Sequence, residues 1–207
     1  NLFDRDHSVT ATYTTSPDGH RQDVQQYGIY YRAPVYAWNG ALSGYYTKSD
    51  SNSGVVANFF NVSGSGEFYG LRWTHRLLPF GSYSHAAEFG IENRFFGSNV
   101  LFNNVAIGTD VRSQPLLLRY TGRLDGADYG LRGNLEFAHN LGGGSSNTDA
   151  AYAANRAGAG KDWQAWRYGF EGSKALGGWI ATAKMRGQLS NDALIPGEQF
   201  GLGGSAG

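Results

Sequence analysis

The stretch ADYGLRGNLEFA, residues 127–138, alternates with a period of two. Its odd positions are Tyr129, Leu131, Gly133, Leu135 and Phe137, and its even positions are Gly130, Arg132, Asn134, Glu136 and Ala138. Successive side chains of a strand point to opposite faces, so this pattern is a strand with one apolar and one charged face. Which face meets water decides the fold.

The same split recurs along the chain. Tyr69, Leu71 and Trp73 oppose Arg72, Thr74 and Arg76. Ala87, Phe89, Ile91 and Phe95 oppose Glu88, Glu92 and Arg94. Leu116, Leu118 and Tyr120 oppose Arg119 and Thr121. Trp166, Tyr168 and Phe170 oppose Arg167 and Glu171. Trp179, Ala181, Ala183, Met185 and Leu189 oppose Thr182, Lys184, Arg186 and Gln188. Segments 8–15 and 24–33 are weaker versions, and 40–47 is ambiguous about which face is which. That makes about nine strands, with no useful stretch of helical periodicity.

Long connections near 17–22, 48–61, 97–111 and 141–161 alternate with short ones near 34–39, 78–83, 123–126 and 176–178. The longest, GGGSSNTDAAYAANRAGAGKD, reads as a mobile loop from its glycine, serine, asparagine and alanine. A soluble sandwich would bury the apolar face and wet the charged one. A membrane barrel reverses this. Three features point to an all-β, antiparallel up-and-down transmembrane β-barrel. Strands of about 9–12 residues can cross a bilayer at a tilt. Tyr69, Trp73, Trp166, Phe170 and Trp179 sit toward the ends of apolar faces, as interfacial girdles do. The alternation of short and long connections is the up-and-down rule, which Greek-key crossings would break. An odd strand count would leave bare edges in lipid, so the expectation is a portion of a larger barrel.

Composition agrees. Seventeen basic residues balance seventeen acidic ones among 207, which points away from nucleic acid. There is no cysteine, so disulfides and thiolate metal sites are excluded. No stretch has the roughly 20 apolar residues of a membrane helix, and no leader is visible before NLFDRDHS, which reads like a turn within a longer chain. The run RAGAGKD lacks a phosphate-loop pattern, because Asn155 stands where glycine is needed and Asp162 where serine or threonine is needed. The five histidines share no ligand spacing, and GSGE at 64–67 lacks the flanks of a nucleophile elbow. The expectation is therefore no nucleotide, no metal, no cofactor and no enzymatic activity. Arg72, Glu88, Glu92, Arg94, Arg119, Arg132, Glu136, Arg167, Glu171, Lys184 and Arg186 would line a wet lumen. There they would form a salt-bridge ladder, a wall for a sliding polypeptide, or both.

The final segment LIPGEQFGLGGSAG, 194–207, resembles the start of the long extracellular loop of two-partner-secretion transporters. These are the haemolysin-activator and filamentous-haemagglutinin-secretion family of the Omp85 superfamily. Leu194, Pro196, Glu198, Phe200, Gly203 and Gly204 match the lead-in to that family's V-R-G-Y-type motif, which would begin after Gly207. Segments 23–54 and 68–100 are similar to two of its hairpins. The resemblance implies about nine strands of a sixteen-stranded barrel, with POTRA domains, plug helix and last strands outside residues 1–207. It implies an outer-membrane translocator that threads a large partner exoprotein, an adhesin or haemolysin, outward unfolded. A barrel-assembly or TamA-like insertase is the alternative within the superfamily, and a general porin is the alternative outside it. Residues 194–207 would enter the lumen, their glycines lying close to the wall.

Overall fold

A computed structural model describes residues 5–15, 25–49, 65–97, 101–102, 105–106 and 109–200. The strands are β1 (Ser8–Thr15), β2 (Gln25–Val35), β3 (Gly40–Ser49), β4 (Gly66–Arg76), β5 (Tyr83–Phe96), β6 (Leu101–Phe102), β7 (Val105–Ala106), β8 (Val111–Ser113), β9 (Pro115–Asp125), β10 (Tyr129–Asn140), β11 (Gln164–Leu176) and β12 (Trp179–Leu189). One sheet runs in the order β1-β2-β3-β4-β5-β9-β10-β11-β12, every pair antiparallel. It is an up-and-down meander, open between β1 and β12. The β6–β7 hairpin stands apart from it.

Strand β8 pairs with β5 in the register that β9 continues: Arg94 faces Ser113 and Ile91 faces Leu116. The two are one wall strand interrupted at Gln114. The cause is local. Pro115 has no N–H to give the ladder, and the Gln114 N–H donates to Asn140 Oδ1 at 2.5 Å. With β8 and β9 joined, the meander has the nine strands that the alternation predicts.

Burial settles the faces. Leu71, Leu118 and Leu135 are 57%, 58% and 45% exposed, while Glu92 and Glu136 are 3% exposed. The sheet is inside out relative to a water-soluble sandwich. A continuous exposed apolar face calls for an apolar solvent, and alternation with a polar interior is how membrane barrels meet lipid. The ambiguous 40–47 segment resolves the same way: Ala41, Ser43, Tyr45 and Thr47 are buried and Leu42 is exposed. Among the described residues no helix is long and apolar enough to cross a membrane.

The turns follow the sequence pattern. Short ones include Gly177-Gly178, with Gly177 at φ +61°, and a 3-10 turn at Tyr36–Trp38 closed by Asn39 at φ 47°. The calls at 17–22 and most of 48–61 lie outside the described residues.

The longest connection departs from its reading as a mobile loop. It folds into α1 (Asp149–Asn155), with the Ala151 N–H donating to the Thr148 hydroxyl at 3.2 Å as an N-cap. Tyr152 and Trp163 are fully buried. Asn140 supplies the bonds that a loop of small residues cannot. Its amide donates to Asn147 Oδ1 (2.9 Å), the Lys161 carbonyl (2.7 Å) and the Tyr152 hydroxyl (3.2 Å). Trp163 Nε1 also donates to the Tyr152 hydroxyl, which donates to the Arg112 carbonyl. Burial pushes the Tyr152 phenol above its usual range, so it stays a neutral donor. Composition signals loop correctly; two aromatics and two asparagines then order it.

An apolar cluster therefore lies on the charged, inner side of the sheet. The wall contributes Tyr45, Phe68, Phe96, Val111, Leu117, Ala138 and Ala165. The folded loop contributes Tyr152 and Trp163, and the tail contributes Leu194 and Ile195.

Candidate functional site

Register brings the inner charges together. Glu88 faces Arg119, Arg119 faces Glu136, and Glu136 faces Arg167 across β5, β9, β10 and β11. Directly opposed residues on one face are in contact distance, and here their signs alternate. Arg119 binds the Glu136 carboxylate in a close ion pair and lies 3.6 Å from Glu88. Arg167 lies 3.3 Å from Glu136. On the β4 side, Arg72 Nη1 donates to Glu88 at 3.0 Å and Nε to Glu92 at 2.9 Å. Glu92 is also held by Arg94, at 2.7 Å.

The tail completes the arrangement. After β12 the chain turns at Ser190, whose hydroxyl donates to the Gln164 carbonyl at 2.6 Å. It then passes inward, burying Leu194 and Ile195, to a 3-10 turn at Pro196–Glu198. Glu198 is 2% exposed. Its Oε2 accepts from Arg94 Nη1 at 2.6 Å and Arg167 Nη2 at 2.9 Å, and its Oε1 accepts from the Ser113 hydroxyl at 2.5 Å. Its carbonyl accepts from Gln188 Nε2 at 2.9 Å.

The result is a closed circuit: Arg72, Glu92, Arg94, Glu198, Arg167, Glu136, Arg119, Glu88 and back to Arg72. Every arginine meets two carboxylates and every carboxylate two arginines. Burial of any one charge would be costly alone; here each is matched on both sides. The loosest arc is at Arg119, whose buried Nε has no hydrogen-bond partner among the described residues.

Seven of the sequence candidates enter this ring: Arg72, Glu88, Glu92, Arg94, Arg119, Glu136 and Arg167. Glu198, recognised in the sequence only as part of the loop lead-in, is the eighth. Arg132, Glu171, Lys184 and Arg186 share the inner face but stand outside the ring. Lys184 pairs loosely with Glu171 at 3.7 Å, both about half exposed. Arg186 is exposed on the edge strand β12, opposite Gly169. Arg132 is exposed, facing Arg123 on one side and Glu171 on the other. Strand face predicts which charges share a side, while height along the strand decides which of them meet.

Of the remaining lead-in residues, Pro196 opens the 3-10 turn and the Phe200 N–H donates to Gln188 Oε1 at 2.7 Å. Gly203 and Gly204 lie outside the described residues. Three participants were not among the sequence candidates: Ser113, Gln188, placed in the sequence only on a polar strand face, and Arg156, which donates to the Leu194 carbonyl at 2.5 Å. Their roles depend on the path of the tail, which strand periodicity does not encode.

Among known proteins, a family model described as haemolysin secretion/activation protein ShlB/FhaC/HecB matches residues 1–206. No curated protein and no solved structure gives a match. With the inverted sheet and a match spanning nearly all of its length, the chain belongs to the ShlB/FhaC/HecB family of two-partner-secretion transporters.

Proposed function

We propose that this chain forms wall and gate elements of an outer-membrane translocator that passes a large adhesin or haemolysin outward in unfolded form. The observation that carries this reading is the seating of the tail by Glu198 in a charge-balanced ring on the inner face. A wall of neutralised charge offers an extended polypeptide no sticky patch of one sign, which suits a conduit. A tail fixed there by side chains, outside the strand ladder, can leave without unzipping the wall. The lipid of the bilayer would solvate the exposed leucines and aromatics. The reading assigns no catalysis, cofactor, nucleotide or nucleic acid. Direction would come from folding of the exported chain outside. Family membership supports secretion over barrel assembly or passive solute diffusion.

The test is deletion of residues 194–200 in the full-length protein, expressed with its secreted partner. The expected outcome is a barrel that still assembles, seen as heat-modifiable migration, with the partner lost from the medium. Secretion at the wild-type level would overturn the reading.

A further inference from the structure

The seat of Glu198 is built entirely from the wall. Arg94 is on β5, Ser113 on β8 and Arg167 on β11. When the tail withdraws, these donors stay. Without Glu198 the ring holds Arg72, Arg94, Arg119 and Arg167 against Glu88, Glu92 and Glu136, which leaves one positive charge unmatched. The donors converge on two oxygens of one carboxylate, with side chains only 16% (Arg94) and 23% (Arg167) exposed. An amide would turn an NH2 group toward donors, so the seat selects carboxylate over its isostere.

We propose that this seat is an exchangeable carboxylate-binding site: an Asp or Glu side chain of a polypeptide moving along the inner face takes the place of Glu198. The inference rests on the translocator reading and adds the chemistry by which wall and passenger recognise each other. A passenger carboxylate would neutralise Arg94 and Arg167 while the tail is out, and the tethered Glu198 would displace it at high effective concentration afterwards. Tail and passenger then compete for one place, so the ring is never left open with its charge uncompensated.

Two measurements test this on the full-length protein. In detergent, Glu198→Ala empties the seat, and sodium formate serves as a free carboxylate. Formate should raise the unfolding midpoint of that variant by a few degrees above sodium chloride at equal ionic strength. It should have no such effect on the wild type, whose seat is filled, or on the Arg94→Gln/Glu198→Ala pair. In planar bilayers, a Gly/Ser octapeptide carrying one aspartate should block the open bursts of the wild-type current, during which the tail is out and the seat empty, with dwell times several-fold longer than the same peptide carrying asparagine. Equal stabilisation by formate and chloride, or equal dwell times, would overturn the proposal. The bilayer arm stands even if Glu198→Ala does not assemble. Neither readout uses the secreted partner, so failure here is distinct from failure of the secretion assay.

Discussion

Glu198 accepts a 2.6 Å hydrogen bond from Arg94 across 104 residues of sequence. No local propensity joins them. Strand register sets Arg94 on the inner face of β5, and burial of Leu194 and Ile195 brings the tail down to it. The contact thus ties a segment outside the ladder to β5 of the wall.

Glu198→Gln tests the value of that charge at nearly constant shape. The variant places an NH2 group or a neutral oxygen against two guanidinium groups. Hydrogen bonds to charged groups contribute about 1.5–3 kcal/mol. The low end applies, because Arg94 and Arg167 keep some exposure and can relax toward water. The expected outcome is an unfolded band appearing at lower temperature in semi-native gels, with Glu198→Asp intermediate. An unchanged midpoint would mean that the carboxylate contributes nothing to holding the tail.

Two ion pairs on the same face should differ in strength. Arg119–Glu136 has a carboxylate 4% exposed, whereas Arg123–Asp125 is 53% and 51% exposed at 2.6 Å. Exposed pairs contribute about 0–1 kcal/mol despite good geometry. Double-mutant cycles should give a coupling of about 1–3 kcal/mol for the first pair and near zero for the second. Similar couplings would show that the ring is as wet as the rim.

Much of this was legible in the sequence, and the rest fails for definite reasons. Arg132 and Glu136 lie on one face of one strand, so alternation treats them alike. Only pairing shows that Glu136 has arginines on both flanks while Arg132 has Arg123 on one side. Glu198 was visible as part of a motif, but its partners are set by a chain path through irregular backbone. The loop around Tyr152 misled because alanine and glycine dominate its composition, while two buried aromatic rings decide its order.

Orientation is open to a direct test. Leu135 is 45% exposed on the apolar face, while its neighbour on the chain, Glu136, is buried. Leu135→Arg should impair folding into lipid vesicles, by about 2–4 kcal/mol if it lies near the midplane. Arg132→Leu should be mild, since Arg132 is exposed and outside the ring. If Leu135→Arg folds as well as wild type and Arg132→Leu does not, the faces are reversed.

The tail's fit against the wall is set by Gly197. A Cβ built there would lie 2.5 Å from Phe96 Cδ1 and 2.8 Å from Cζ, closer still to Cε1. The Phe96 ring cannot simply swing away, because it packs edge-on against Phe68 at 5.3 Å between centroids, and Phe68 is 2% exposed. Gly197→Ala must therefore lift the tail, and the next residue is Glu198. The substitution should weaken the ring contacts without touching a charge, and so reproduce part of the Glu198→Gln midpoint loss. Phe96→Leu removes the obstructing ring edge at a cost of about 1–2 kcal/mol, as for other core trimming. In the Gly197→Ala/Phe96→Leu pair the methyl occupies the space vacated. The double variant should then be more stable than the sum of the singles allows, with a coupling of about 1 kcal/mol. Four unfolding midpoints measured side by side decide it. Strict additivity would mean that the tail has room to spare at Gly197 and that the ring is not held shut by steric fit.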